Sequence, residues 1–291
     1  MDARSPLTAG LLLFLALSGC ASRRESPGLE LQAQDYRTAR NQFKTTLLQK
    51  GPAPQPAQAF ALPADATLVG YSKALPLKAL VGPVPRDGKK RPAVLFLHGG
   101  FAMDGSDWEA SQAYRDAGYV VMTPMLRGEN GQPGAYSLFY DELSDVLAAA
   151  ETLAALPYVD KTHLYVAGHS VGGTLALLAA LSSNRFRAAA GFSGACDAIA
   201  WSQGQEELIP FDPKNKREFE LRSPIAFATS FQCPTRIYYG TQERLFAGMS
   251  QRTAELAKTK KLDVEAVAVP GDHFSAFDQE VTRSIAFFQS H

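Results

Sequence analysis

Cysteine is scarce in this chain: three residues in 291, at positions 20, 196 and 233. That count excludes a disulfide-stapled scaffold, and the cysteines and five histidines lack the spacing of a metal-binding cluster, so no metal site and no cofactor is implied. An excess of one charge is also missing, since 29 Lys plus Arg face 29 Asp plus Glu. A chain with no basic patch to offer is a poor partner for nucleic acid, and none is expected. Repeats of fixed period are absent. Gly 23 and Pro 18 are too few for general disorder. The apolar run Leu7–Leu17 is too short to span a bilayer stably.

What that run does have is an ending. Leu17-Ser18-Gly19-Cys20 resembles the lipobox of bacterial lipoproteins, in which the chain is cut before the cysteine and its thiol carries diacylglycerol. The resemblance implies a signal peptide over 1–19, lipidation at Cys20, and membrane attachment only through that anchor. Ala21, in place of the Asp that favours inner-membrane retention, points to the periplasmic face of the outer membrane. Residues 20–65, with Gly51-Pro52-Ala53-Pro54-Gln55-Pro56-Ala57, read as a tether or surface strap, and Asp35–Lys50 has the pattern of one helix.

From residue 66 strands alternate with helices, the signature of a mostly parallel sheet covered on both faces. A hairpin, Leu68–Ser72 and Leu77–Val81, comes first. Five apolar runs follow: Ala93–Leu97, Tyr119–Thr123, His163–Ala167, Ala188–Phe192 and Thr235–Tyr239; Val264–Val269 completes eight strands. Helices are expected over Ser106–Ala117, Tyr136–Ala155, Thr174–Leu181, Gly248–Lys260 and Ser275–Phe288. Asp197–Gln232 is irregular, long enough to shape a binding site and too short for a large cap domain. Cys196 and Cys233 fall at opposite ends of neighbouring strands, which keeps them apart as two free thiols.

The chemistry begins at Gly168-His169-Ser170-Val171-Gly172-Gly173, set between an apolar strand and a helix of small residues. A Gly-x-Ser-x-Gly in that setting is a nucleophile elbow, which thrusts the serine hydroxyl from the carboxyl edge of the sheet. The Val171 amide, at the positive end of the following helix, is then aimed at a developing oxyanion.

Four stretches in order carry a family resemblance: His98-Gly99-Gly100-Phe101, Leu126-Arg127-Gly128-Glu129-Asn130-Gly131, the elbow, and Tyr239-Gly240-Thr241-Gln242-Glu243. Residues 66–291 resemble the α/β-hydrolase catalytic domain of the prolyl oligopeptidase family of serine peptidases and its esterase relatives. The fold implied is an eight-stranded, mostly parallel sheet with helices on both faces.

A serine nucleophile needs a base. His163 begins the elbow strand at the wrong edge, His169 is inside the elbow, His98 belongs to the glycine turn and His291 ends the chain, which leaves His273 in the loop after the last strand. In the resembled family the acid follows the seventh strand as Gly-x-x-Asp; here that position is Glu243, with Asp197 as the alternative and the adjacent Asp272 expected to point away. A second oxyanion donor is expected from the Gly100 or Phe101 amide, although some family members use a tyrosine hydroxyl near the place His98 occupies. Arg127 is expected to brace its own loop through carbonyls, the alternative being to bind a substrate carboxylate or phosphate. Phe101, Tyr136, Tyr140, Trp201 and Phe211 are candidates for an apolar pocket, or for simple core.

These expectations describe a serine hydrolase working through an acyl-enzyme. Family peptidases usually carry a β-propeller that screens substrates, and residues 20–65 offer no room for one. Short peptides are the first expected substrates, small esters the alternative. A binding lipoprotein that keeps the fold without catalysis is the reading from another class.

Overall fold

The computed structural model describes residues 29–57 and 59–291; Cys20 and the apolar run before it lie outside the described residues. Apolar runs become eight strands: β1 (Thr67–Gly70), β2 (Lys78–Val81), β3 (Arg91–Leu97), β4 (Val120–Pro124), β5 (Val159–His169), β6 (Ala188–Phe192), β7 (Thr235–Gly240) and β8 (Val264–Val269). They form one sheet in the order β1-β2-β4-β3-β5-β6-β7-β8. The β1–β2 and β2–β4 pairs are antiparallel and all the others parallel. The nine helices among the described residues are α1 (Tyr36–Asn41), α2 (Gly105–Ala110), α3 (Gln112–Asp116), α4 (Glu142–Ala155), α5 (Val171–Ser182), α6 (Ala198–Ser202), α7 (Lys216–Glu220), α8 (Arg244–Lys258) and α9 (Phe277–Gln289).

The two-residue period of a strand divides β3 between two cores. Val94 and Phe96 pack with Tyr114 of α3 and with Val281 and Phe288 of α9 on one face. Ala93, Leu95 and Leu97 pack with Leu143 of α4, Leu175 of α5 and Ala254 of α8 on the other. Burial on both faces is why the central strands read as continuous apolar runs. The architecture is an α/β-hydrolase fold, with no large cap domain among the described residues.

Several helix boundaries differ from the sequence reading. The stretch expected as one helix over Ser106–Ala117 is broken at Ser111, whose hydroxyl donates to the Trp108 carbonyl while Arg115 Nη1 donates to the same oxygen. The helix expected from Tyr136 starts at Glu142, because the Glu142 carboxylate accepts from the amide and hydroxyl of Ser137, and Leu138 and Phe139 adopt φ of 52° and 73°. Asp35–Lys50 yields only α1; beyond it Leu47 forms a bridge with Phe211. Asp197–Gln232 is built from α6, α7 and two short 3₁₀ turns. Cys196 and Cys233 are both free thiols.

Residues 29–57 are not a loose tether, since they run along the domain through a series of bonds. Leu29 N donates to Asp197 Oδ2 at 3.1 Å, Gln32 N to Ala226 O at 2.7 Å, and Tyr36 Oη to Leu221 O at 2.9 Å. Thr45 Oγ1 donates to Glu218 Oε2 at 2.7 Å, and Leu48 N to Pro210 O at 2.8 Å. The segment ends beside the carboxyl edge of the sheet, where the candidate site lies.

Candidate active site

The elbow is a product of crowding between backbones. A Cβ at Gly172 would overlap the Leu97 carbonyl oxygen, and one at Gly168 would overlap the Gly172 carbonyl. With glycine at both places β5 can turn straight into α5, at the cost of φ 55°, ψ −114° for Ser170. Such a conformation survives only where its surroundings enforce it. Ser170 is half-buried, and the Val171 amide opens α5 with no intrahelical acceptor of its own.

Glu243 and His273 meet in the loops that follow β7 and β8, and no hydrogen bond joins His273 to the Ser170 hydroxyl among the described residues. The His273 Nδ1–H donates to Glu243 Oε1 at 2.6 Å, while Glu243 Oε2 accepts from Ser193 Oγ at 2.5 Å and from the Gly240 amide at 2.7 Å. Burial of this carboxyl disfavours its charge, but the hydrogen bonds from His273, Ser193 and Gly240 outweigh burial and hold the carboxyl below its ordinary value. The Glu243 carboxylate accepts from Nδ1, the arrangement that in a neutral imidazole leaves Nε2 as the acceptor. Nothing in the sequence reading singled out Ser193, whose φ of 47° aims it at the carboxylate.

His169 links the elbow to the base loop, donating from Nε2 to the His273 carbonyl at 2.8 Å, with the two rings 4.7 Å apart. Burial and the neighbouring His273 push its pKa down to about 4, so the ring stays neutral. Phe274, an exposed aromatic at 71%, stands against both histidines.

Asp197 is engaged elsewhere. Its Oδ1 caps α6 through the Ile199 and Ala200 amides and its Oδ2 accepts from Leu29 N, so it does not serve His273. Asp272 turns back on its own loop, accepting from the amides of Phe274 and Ser275 and from the Ser275 hydroxyl.

The loop after β3 lies against the serine. A Cβ at Gly99 would sit 3.7 Å from Ser170 Cβ and 3.1 Å from His169 Nδ1. Of the two amides expected as donors, that of Phe101 is already committed: it donates at 3.0 Å to Oε1 of Gln55, 46 residues away. The Gly100 amide has no hydrogen-bond partner among the described residues, so of the two it is the one left free.

His98 does not reach the serine as a donor. Its Nε2 is 3.0 Å from Glu129 Oε2 and its Nδ1 2.9 Å from Gly99 O, and both side chains of the pair are nearly inaccessible. Burial alone favours the neutral ring, but the Glu129 carboxylate, helped by Asp107, pushes the His98 pKa up to about 10. The imidazolium then donates from both nitrogens. Asn130 completes the hold on this loop, accepting from Met103 N at 2.9 Å and donating to Met103 O at 2.8 Å. Arg127 is a brace, but through a carboxylate rather than through carbonyls: Nε and Nη2 grip Asp145 of α4 at 2.8 and 2.6 Å.

The aromatic candidates divide. Phe101, Tyr136 and Trp201 gather beside the loop after β3, with Phe101 5.3 Å from Tyr136 and 6.4 Å from Trp201, and Phe139 joins Trp201 at 5.9 Å. Phe211 is core against Phe219, and Tyr140 donates to the Phe43 carbonyl. Among the described residues no group of three His, Cys, Asp or Glu side chains is placed to hold a metal ion.

Residues 106–289 match the model of the prolyl oligopeptidase family. The uncharacterized peptidase YtmA of Bacillus subtilis strain 168 is 24% identical over 208 residues, covering 68% of this chain and 79% of that protein. A puromycin-hydrolyzing peptidase of Mycobacterium tuberculosis superposes with a TM-score of 0.67 at 24% identity, over 77% of this chain. The match spans only 38% of that longer protein. A hyperthermophilic esterase from the archaeon Pyrobaculum calidifontis superposes with a TM-score of 0.63 at 18% identity, over 88% of each chain. With an α/β-hydrolase sheet and a family match over most of its length, the chain belongs to the prolyl oligopeptidase family of serine hydrolases.

Proposed function

We propose that the protein is a serine peptidase acting on short peptides through an acyl-enzyme. In this reading Ser170 Oγ attacks the scissile carbonyl carbon and His273 Nε2 takes its proton. The carbonyl oxygen gathers negative charge between the Gly100 and Val171 amides. As the tetrahedral intermediate collapses, the C–N bond breaks and His273 returns the proton to the leaving amine; water then repeats the sequence to free the acid. Glu243 keeps the His273 ring oriented and stabilises the imidazolium. The observation that carries the reading is the 2.6 Å bond between Glu243 and His273, next to an elbow whose His169 bonds the His273 carbonyl and whose Ser170 is held at positive φ.

The peptidase names of the relatives support an amide substrate. The esterase that matches this chain along 88% of both lengths keeps small esters as a second reading. The same proposal tethers the enzyme to the bacterial envelope by a lipid on Cys20.

A fluorophosphonate probe reports on an activated serine directly. The wild type is expected to label and to cleave short peptides, and Ser170→Ala to lose labelling and at least about 10⁴-fold in kcat with its fold intact. A well-folded wild type that neither labels nor turns over peptides or esters leaves only the binding-protein reading standing.

A further inference from the structure

The amino-terminal segment supplies a wall of the candidate site, and its seat is built into the domain. Tyr136 N donates to Gly51 O and Ala53 N to Gly128 O, each at 3.0 Å. Gly128, at φ +76°, has no room for a side chain: a Cβ there would meet Ala53 N at 3.0 Å and Pro52 Cα at 3.4 Å. Upstream, Leu48 and Gln49 both donate to Pro210 O. Prolines at 52, 54 and 56 restrict the backbone between these anchors and beyond. Fixed at this many points, the segment is a standing wall and not a hinged lid.

Gln55 reaches from that wall to the oxyanion loop. Its Oε1 accepts from the Phe101 amide, which fixes the orientation of the carboxamide, because only the oxygen can face an N–H donor. The group lies against Gly100: a Cβ there would be 2.6 Å from Oε1 and 3.6 Å from Nε2. One residue earlier, Gly99 lies against Ser170. The Nε2 amide hydrogens have no acceptor among the described residues, and the side chain is only half-buried. A rigid carboxamide with two N–H donors to spare, one residue from the expected acyl oxygen site, is placed to receive a carbonyl.

Resting on the reading of Ser170 as nucleophile, we propose that Gln55 is a substrate-binding residue whose Nε2 donates to a carbonyl on the acyl side of the substrate, one amide from the scissile bond. The site then prefers peptidyl and N-acylaminoacyl groups to simple acyl groups, and the preference comes from the amino-terminal segment.

The test compares p-nitrophenyl acetate with an N-acetylaminoacyl p-nitrophenyl ester on the full chain, so that leaving group and chemistry are shared. Gln55→Ala is expected to lower the ratio of kcat/KM for the longer ester over that for acetate by about tenfold, mainly through KM, the size of one lost hydrogen bond. Gln55→Glu keeps an acceptor for the Phe101 amide but loses the donors, and is expected to lower the ratio similarly. An unchanged ratio in both variants, with both esters slowed together, overturns the proposal and makes Gln55 a support for its loop. A ratio that rises in Gln55→Ala also overturns it, since Gln55 would then be an obstruction. A wild type inert toward both esters and toward a fluorophosphonate defeats the hydrolase reading itself, and this one with it.

Discussion

Two loops leave the carboxyl edges of neighbouring strands and meet at Ser170, and they are held in opposite ways. The elbow after β5 is held by main chain: Gly168 and Gly172 let β5, α5 and the end of β3 approach until no side chain fits between them. The loop after β3 is held by side chains from elsewhere in the chain, His98 by Glu129, Met103 by Asn130 and Phe101 by Gln55. Contact between backbones tolerates no adjustment, whereas a set of hydrogen bonds can lose one member and keep its shape. The position of Ser170 is thus set by main-chain crowding, and that of the loop after β3 by side-chain hydrogen bonds.

Gly172→Ala strikes the first kind of hold and carries the largest expected effect. The obstructing atoms are the carbonyls of Leu97 and His98, which cannot rotate aside as a side chain would. A loss above about 4 kcal/mol is expected in urea unfolding, or failure to accumulate folded protein. A variant within about 1 kcal/mol of wild type would show that the elbow has slack and that the contrast between the loops is false.

Glu129→Gln strikes the second kind. It removes the charge that keeps His98 protonated in a site from which both groups are nearly excluded from water, and a loss of about 3 kcal/mol is expected near pH 6. The pH dependence identifies the cause. The His98 pKa is raised in the folded protein, to about 10 from the ordinary 6.5, so its contribution is fully present below pH 6.5 and is lost as pH rises through about 10. The gap between wild type and Glu129→Gln should therefore narrow steadily from pH 6 to pH 10. A gap that stays constant would mean that the pair acts through packing alone.

The same contrast explains what could be read in the sequence. The strands were legible because burial on both faces writes continuous apolar runs, and the elbow because glycine is required on both sides of Ser170. His273 emerged by elimination among five histidines. Gln55 carries no such mark: its partner is a backbone amide 46 residues away, in a loop that any side-chain carbonyl could satisfy. Ser193 was hidden for the same reason, its role being one hydrogen bond to Glu243. The start of α4 was misplaced because helical periodicity continues back to Tyr136, while the Glu142 carboxylate captures Ser137 and holds the chain out of the helix. Where apolar pattern or steric necessity fixes structure the sequence shows it; where a single polar partner does, it does not.

Asn130→Gly isolates the side-chain hold in its smallest unit. Asn130 sits at φ 46°, a conformation glycine adopts freely, so the substitution adds no backbone strain and removes only the two bonds to Met103. A cost of about 1–2 kcal/mol in stability is expected. With His98 and Gln55 still in place, kcat on a short peptide should fall by less than about tenfold, an effect equal to one hydrogen bond. Asn130→Ala removes the same bonds and adds the penalty of a left-handed residue with a Cβ, about 1 kcal/mol more. If the two variants cost the same, the loop relaxes when its clamp is lost and the left-handed turn goes with it. If alanine is the costlier by that margin, the turn persists without Asn130, and the loop is held by several partners that act independently, as the elbow is not.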